Sequence, residues 1–126
     1  MLAHMKRAAR DLVEPHNIQL KFEVGEALGK LRLSPEQRKN LYMVLKESVN
    51  NARKHAGASV IEVRFFMQGT QLVMTVSDNG RGFNPATPTS GNGLQNIRKR
   101  AEELSASLEI VSQPGKGTTI SLSVPV

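Results

Sequence analysis

The sequence predicts an α+β two-layer sandwich, a mixed and mostly antiparallel sheet covered on one face by helices. Three observations carry this. Short stretches alternate apolar and polar residues, the period of half-buried strands. Longer segments between them repeat apolar residues at helical spacing. Two strand pairs are joined by turns short enough to make hairpins, which favours antiparallel pairing. At 126 residues the chain is long enough for one domain with a single two-layer core.

The elements follow in order. "MLAHMKRAARDLVEPHN" sets Leu2, Met5, Ala9 and Leu12 on one helical face, and Pro15 closes the helix near residue 14. "IQLKFEV" alternates Ile18, Leu20, Phe22 and Val24 as a half-buried strand. After a Gly-containing connection, "SPEQ" opens the longest helix. Ser34 is its N-cap, Pro35 takes the first helical position and Gln37 completes a capping box. That helix is expected to run to about Ala56, where "HAGAS" supplies a C-terminal glycine. Strands over 59–67 and 71–78 meet at "QGTQ". Residues 79–92 carry no periodicity and read as a loop. A further helix starts near Gly93, with Leu94, Ile97, Ala101 and Leu104 on one face. The chain closes with two strands around Pro-Gly-Lys-Gly.

The balance of 17 Lys and Arg against 11 Asp and Glu gives a formal net charge of +6. The excess is uneven: 31–60 hold Arg32, Arg38, Lys39, Lys46, Arg53 and Lys54 against Glu36 and Glu47. Such a field suits phosphate, on a nucleotide or on nucleic acid. Four Phe, one Tyr and no Trp leave little for stacking on single-stranded bases, and no nucleic-acid motif is present. With no cysteine, disulfides and thiolate metal sites are excluded, which fits a reducing compartment. No apolar run approaches the roughly 20 residues a membrane span needs, and no signal peptide is visible.

Four stretches carry chemistry. In "QLVMTVSD" the inward row is Leu72, Met74 and Val76, and the next residue of that parity is Asp78. A carboxylate aimed at the core side must find a donor or raise its pKa. The Asn-Gly-Arg-Gly that follows lets backbone approach whatever lies there. Two readings stand: a turn-forming Asp, or an acceptor at the floor of a pocket for a ligand amine such as that of adenine. On the long helix, Leu41, Leu45, Val49, Ala52 and Ala56 form the buried stripe, with Lys39, Lys46 and Arg53 facing solvent. Glu47, Asn51, Lys54 and His55 share a separate strip. Two oxygen donors one turn apart suit a hard cation such as Mg²⁺, and Lys54 suits phosphate. The alternative is a solvated face with a Glu47–Asn51 contact. "SGNGLQNI" opens a helix behind two glycines, whose free N–H groups favour an anion. The third glycine of a dinucleotide fold and a Walker-type Gly-Lys-Ser are both missing. In "PGKGTT", Thr118 shares parity with Ile120, Leu122 and Val124. Its hydroxyl is expected to face inward and reach Asp78 or a water, or else to belong to an ordinary turn and strand.

In this order the four pieces resemble the ATP-binding module shared by sensor histidine kinases, gyrase, a heat-shock chaperone and mismatch-repair ATPases, the Bergerat-type fold. The N-box is "LKESVNNARKHA", the first glycine box "DNGRGF", the second "GNGL" and the terminal element "GKGTT", and nearly the whole chain from about Ile18 fits. The tail "GLQNIRKRAEEL…SLEIVSQPGKGTTISLSVP" is most similar to the histidine-kinase subgroup of nitrate and membrane-fluidity sensors. The resemblance implies that Asp78 accepts from the adenine amine, with Gly80 and Gly82 allowing close approach and Thr118 supporting through water. Asn51 would bind Mg²⁺ and Glu47, also a candidate metal ligand, would polarise the nucleophile. Lys54 would meet phosphate and His55 flank the adenine. Residues 84–92 would be a short mobile lid, and Gly91, Gly93 and Leu94 would receive phosphates.

The phospho-accepting histidine and its dimerisation helices are missing, since neither His4 nor His16 has the expected surroundings. The resemblance therefore implies the C-terminal piece of a longer kinase, with 1–16 a helical connection and 17–126 the ATP-binding domain. "ELSAS" also replaces a double glycine common among relatives, which bears on packing. The implied function is to hold Mg-ATP and donate its γ-phosphate to a histidine on a separate dimerisation domain within a two-component system. The piece would be a cytoplasmic monomer, inactive alone. The full-length protein would be a homodimer anchored in the inner membrane in some relatives, with a response regulator as partner and no nucleic acid. An anti-sigma-type serine kinase and a non-catalytic ATP-dependent clamp or regulatory module are the alternatives.

Overall fold

A computed structural model describes residues 2–55, 57–81 and 93–126. Helix α1 covers Leu2–Val13, and a 3-10 turn at Glu14–His16 contains Pro15. Asn17, in the left-handed region at φ 56°, turns the chain into strand β1, Gln19–Val24. A second 3-10 segment, Glu26–Lys30, occupies the Gly-containing connection. It is too short to show a helical period in sequence.

Helix α2 spans Pro35–His55. Its start is the predicted reciprocal capping box: the Gln37 N–H donates to Ser34 Oγ at 3.0 Å, and the Ser34 N–H donates to Gln37 Oε1 at 2.9 Å. Its end is marked by Gly57 at φ +61°, a conformation that disfavours a Cβ. Strands β2 (Val60–Gln68) and β3 (Gln71–Asp78) form the expected hairpin. After α3 (Gly93–Glu103) come β4 (Ser107–Ser112) and β5 (Thr118–Pro125), the second hairpin.

The five strands lie in the order β1-β2-β3-β5-β4. Among the described residues only the β1–β2 pair is parallel, so the sheet is mixed and mostly antiparallel as the sequence predicts. Long α2 makes the crossover that a parallel pair requires. One face carries the core: Ile61, Val63 and Phe65 from β2, Leu72, Met74 and Val76 from β3, and Ile120, Leu122 and Val124 from β5. Against these pack Met5, Ala9 and Val13 of α1, Leu41, Val44, Leu45, Val49 and Ala52 of α2, and Ile97 and Ala101 of α3. Each fully buried Leu or Ile contributes roughly 1.5–3 kcal/mol. The other face mixes polar pairs with apolar residues: Arg64 is paired to Glu23 at 3.2 Å and Glu62 at 2.9 Å and Ser77 is bonded to Thr119 at 3.1 Å, while Phe66, Val73 and Val111 share that face.

One expectation on α2 is corrected. Lys39 and Lys46 face solvent, but Arg53 is half-buried. Its guanidinium donates to Asn50 Oδ1 at 3.1 and 3.4 Å and lies 3.1 Å from His16 Nε2. Helical period places a residue on a face, whereas the 3-10 turn packed beside that face is a tertiary event. Ala56 of the expected apolar stripe lies outside the described residues.

Candidate functional site

The sheet register gathers one set of ends. Gln19 pairs with Val60, Ile61 with Asp78, Asp78 with Thr118, and Thr118 with Ser112. The C-terminus of α2 leads into β2 at this same end of the sheet, where Ile61 pairs with Asp78, the last residue of β3.

Asp78 sits where alternation puts it, half-buried below the core row of Leu72, Met74 and Val76. Its Oδ1 accepts the Gly80 N–H at 2.8 Å, and the Thr118 backbone N–H also donates to the carboxylate. Burial raises its pKa above the ordinary aspartate value, and the two N–H donors oppose that rise without cancelling it. A carboxylate has about four lone-pair directions. Two donors leave acceptor capacity for a ligand amine.

Thr118 is buried, as its parity predicts. Its hydroxyl is 2.7 Å from Ser112 Oγ, and Ser112 Oγ in turn donates to the Gly117 carbonyl at 3.3 Å. Thr118 therefore meets Asp78 through its backbone, while its side chain faces a neighbouring hydroxyl that sequence parity did not reveal.

Glu47 and Asn51 are half-buried on α2 and Lys54 is exposed. Among the described residues, neither Glu47 nor Asn51 has a side-chain hydrogen-bond partner, and no Glu47–Asn51 bond forms. The two oxygen donors, one turn apart and free of internal partners, fit a hard cation that keeps most of its waters. Leu94 packs against the core at the start of α3, which Gly93 begins. The side chain of His55, the glycines Gly82 and Gly91, and the lid expected over 84–92 lie outside what the structure describes.

Two residues of the site were not singled out from sequence. Asn79 Oδ1 accepts the N–H groups of Ser59 at 2.9 Å and Val60 at 3.0 Å, and its Nδ2 donates to Ser59 Oγ at 2.8 Å. Gly117, at φ +81°, lies so close to β3 that a Cβ would stand 2.1 Å from the Asp78 carbonyl oxygen. Only glycine fits there. The neighbouring Gly115 N–H donates to the Arg81 carbonyl, so the β4–β5 turn is seated on the segment after Asp78. The glycines of "PGKGTT" were the available signal for this close approach.

Residues 36–126 match the family described as histidine kinase-, DNA gyrase B-, and HSP90-like ATPase, and the chain belongs to that family. It is 36% identical over 87 residues to the signal transduction histidine-protein kinase/phosphatase DegS of Brevibacillus brevis, covering 68% of this chain and 22% of DegS. It is 28% identical over 118 residues to the sensor protein VraS of Staphylococcus aureus, covering 93% of this chain and 34% of VraS. The chain thus spans a fifth to a third of these relatives. The fold matches the histidine kinase domain of the Erythrobacter litoralis EL346 blue-light activated histidine kinase with a TM-score of 0.84 at 21% identity, covering 98% of this chain and 60% of that one. It matches the catalytic domain of histidine kinase ThkA with a TM-score of 0.77 at 22% identity, covering 98% and 92%.

Proposed function

We propose that this chain is the ATP-binding catalytic domain of a sensor histidine kinase. In this reading it holds Mg-ATP and presents the γ-phosphate to a histidine on a separate dimerisation domain of the full-length protein. The observation that carries the reading is a half-buried carboxylate with spare acceptor capacity at the end of β3, beside the start of β2, which follows the helix that bears Glu47, Asn51 and Lys54. A purine and a metal-bound triphosphate need these two chemistries side by side.

Each residue has its part. Asp78 accepts from the adenine amino group, Gly80 and Gly82 let the base approach, and Thr118 holds the carboxylate through its N–H. His55 flanks the base. Lys54 and the N–H groups around Gly91, Gly93 and Leu94 meet phosphate oxygens. Asn51, with Glu47 beside it, would hold Mg²⁺, which when bound offsets triphosphate charge. The transfer itself is mostly positioning: a neutral imidazole nitrogen bonds to the γ-phosphorus as the β–γ bridging P–O bond breaks and ADP leaves. Glu47 can receive the proton that the imidazole releases. Helix α1 and the turn to residue 16 lead back towards the phospho-acceptor region, and the product phosphohistidine serves a response regulator. Among the described residues no helix is long and apolar enough to cross a membrane. In this reading the domain is cytoplasmic and belongs to a full-length homodimer anchored in the inner membrane.

Calorimetric titration with AMPPNP, with and without Mg²⁺, is the test. Binding strengthened by Mg²⁺ is expected, and Asn51→Ala should remove most of that strengthening, roughly tenfold or more in affinity. No heat of binding by the 126-residue chain refutes the reading. Mixing the chain with a His-bearing dimerisation domain and labelled ATP should label the partner, whereas a non-catalytic clamp would leave it unlabelled.

A further inference from the structure

We infer that Asn79 is a positioning residue: its amide fixes the adenine-recognising carboxylate of Asp78 at a set distance from the phosphate-handling end of α2. The inference rests on the nucleotide-binding role proposed for Asp78.

The geometry is specific. Ile61–Asp78 is the last pair of the β2–β3 ladder. Beyond it, the Asn79 side chain takes the place of a further rung. Its Oδ1 accepts two consecutive backbone N–H groups, its Nδ2 donates to Ser59 Oγ, and its own N–H donates to the Val60 carbonyl at 3.3 Å. An amide combines a two-lone-pair acceptor with a two-hydrogen donor, and this arrangement uses both lone pairs and one N–H.

Asn beside Gly is ordinarily explained by tolerance of the left-handed region. That explanation fails here, because the positive-φ residues other than glycine are Asn17 and Ser105 among the described residues. The amide's contacts are what remain. Exposed asparagines are usually solvated, yet this exposed one is held at distances of 2.8–3.0 Å on all three side-chain bonds.

What Asn79 grips matters as much. Ser59 lies two residues past Gly57, the glycine that follows α2, and the Ser59 carbonyl is tied to β1 by the Gln19 N–H at 2.9 Å. The path from Asp78 to the helix strip therefore runs through Asn79, Ser59–Val60 and Gly57, with Ser59 and Val60 held through both their N–H and carbonyl groups. On the opposite side, the Gly115 and Gly117 contacts hold the same segment. With Asn79 gone, one jaw of this clamp opens, and the direction of the Asp78 carboxylate is no longer fixed relative to the phosphates.

The test compares AMPPNP with GMPPNP by calorimetry for the 126-residue chain and its Asn79→Ala, Ser59→Ala and Asp78→Asn variants, with thermal unfolding beside each. Asn79→Ala should weaken AMPPNP roughly tenfold and GMPPNP less, shrinking the preference for adenine. Ser59→Ala, which removes a single contact, should shift the preference the same way by about two- to threefold. An Asn79→Ala protein that melts lower but keeps the full preference overturns the inference, since a merely structural strut would behave so. Should Asn79→Ala not fold, Ser59→Ala decides, and an unchanged preference there overturns it equally. If Asp78→Asn keeps the adenine preference, the nucleotide role of Asp78 falls and this inference with it. That outcome differs from a failure at Asn79 alone.

Discussion

Asp78 is where sequence parity and local chemistry agree. A strand period of two aims the carboxylate inward, and a partly buried carboxylate must be met by donors, here the N–H groups of Gly80 and Thr118. Burial is the larger influence, so the folded pKa lies above the unfolded one. Between those two values the folded chain binds more protons than the unfolded chain. Stability therefore falls as pH rises through that window and stays lower above it. Asp78→Asn removes this titration. The ligand-free variant should be at least as stable as the parent at pH 7, with the difference shrinking as pH falls below the window. Urea unfolding across a pH series checks this, and a variant that is less stable at pH 7 but equal in acid would reverse the sign. Thr118 shows the complementary lesson. Its inward direction was legible, but the hydroxyl it would meet depended on Ser112, a residue of the neighbouring strand.

At the scale of elements, termini were the most legible features because capping chemistry is local. The Ser34–Gln37 box and the glycine after α2 both form as read. The end of α3 is more revealing. Ser105 sits at φ 53°, the Ala106 N–H donates to the Ala101 carbonyl at 2.9 Å and the Ser105 N–H to the Glu102 carbonyl at 3.0 Å. This is a Schellman ending with serine at the position glycine favours. The "ELSAS" departure thus places a side chain in a strained backbone conformation rather than altering the pocket. Ser105→Gly should stabilise the domain by about 0.5–1 kcal/mol, the left-handed strain relieved less the extra freedom of an unfolded glycine. A rise in the urea midpoint at constant slope is the expected readout.

For the whole molecule, α1 matters more than its terminal position suggests. Met5, Ala9 and Val13 are each 1% exposed and belong to the same core as α2 and the sheet. Across that core, Arg100 of α3 donates to the buried Asn40 of α2 at 3.1 Å, tying the two helices together. Met5→Ala should destabilise the chain by roughly 2–5 kcal/mol while unfolding stays a single transition. A biphasic melt, with α1 lost first, would show instead that the helix is an appended piece. The chain spans 22% of DegS and 34% of VraS, so those relatives are several times longer than the domain described.

The sequence alone determined the fold class, the strand that ends in Asp78, the strip of Glu47, Asn51 and Lys54, and the caps of α2. All of these follow from periodicity and short-range hydrogen bonding, which act within a few residues. Tertiary structure decided what those residues meet. Asn79 gripping Ser59 and Val60 about twenty residues away, Gly117 pressed on the Asp78 carbonyl, Arg53 reaching His16 and Thr118 facing Ser112 are contacts between separate elements. They arise only when strand order and register bring distant backbone together, and no local period encodes that.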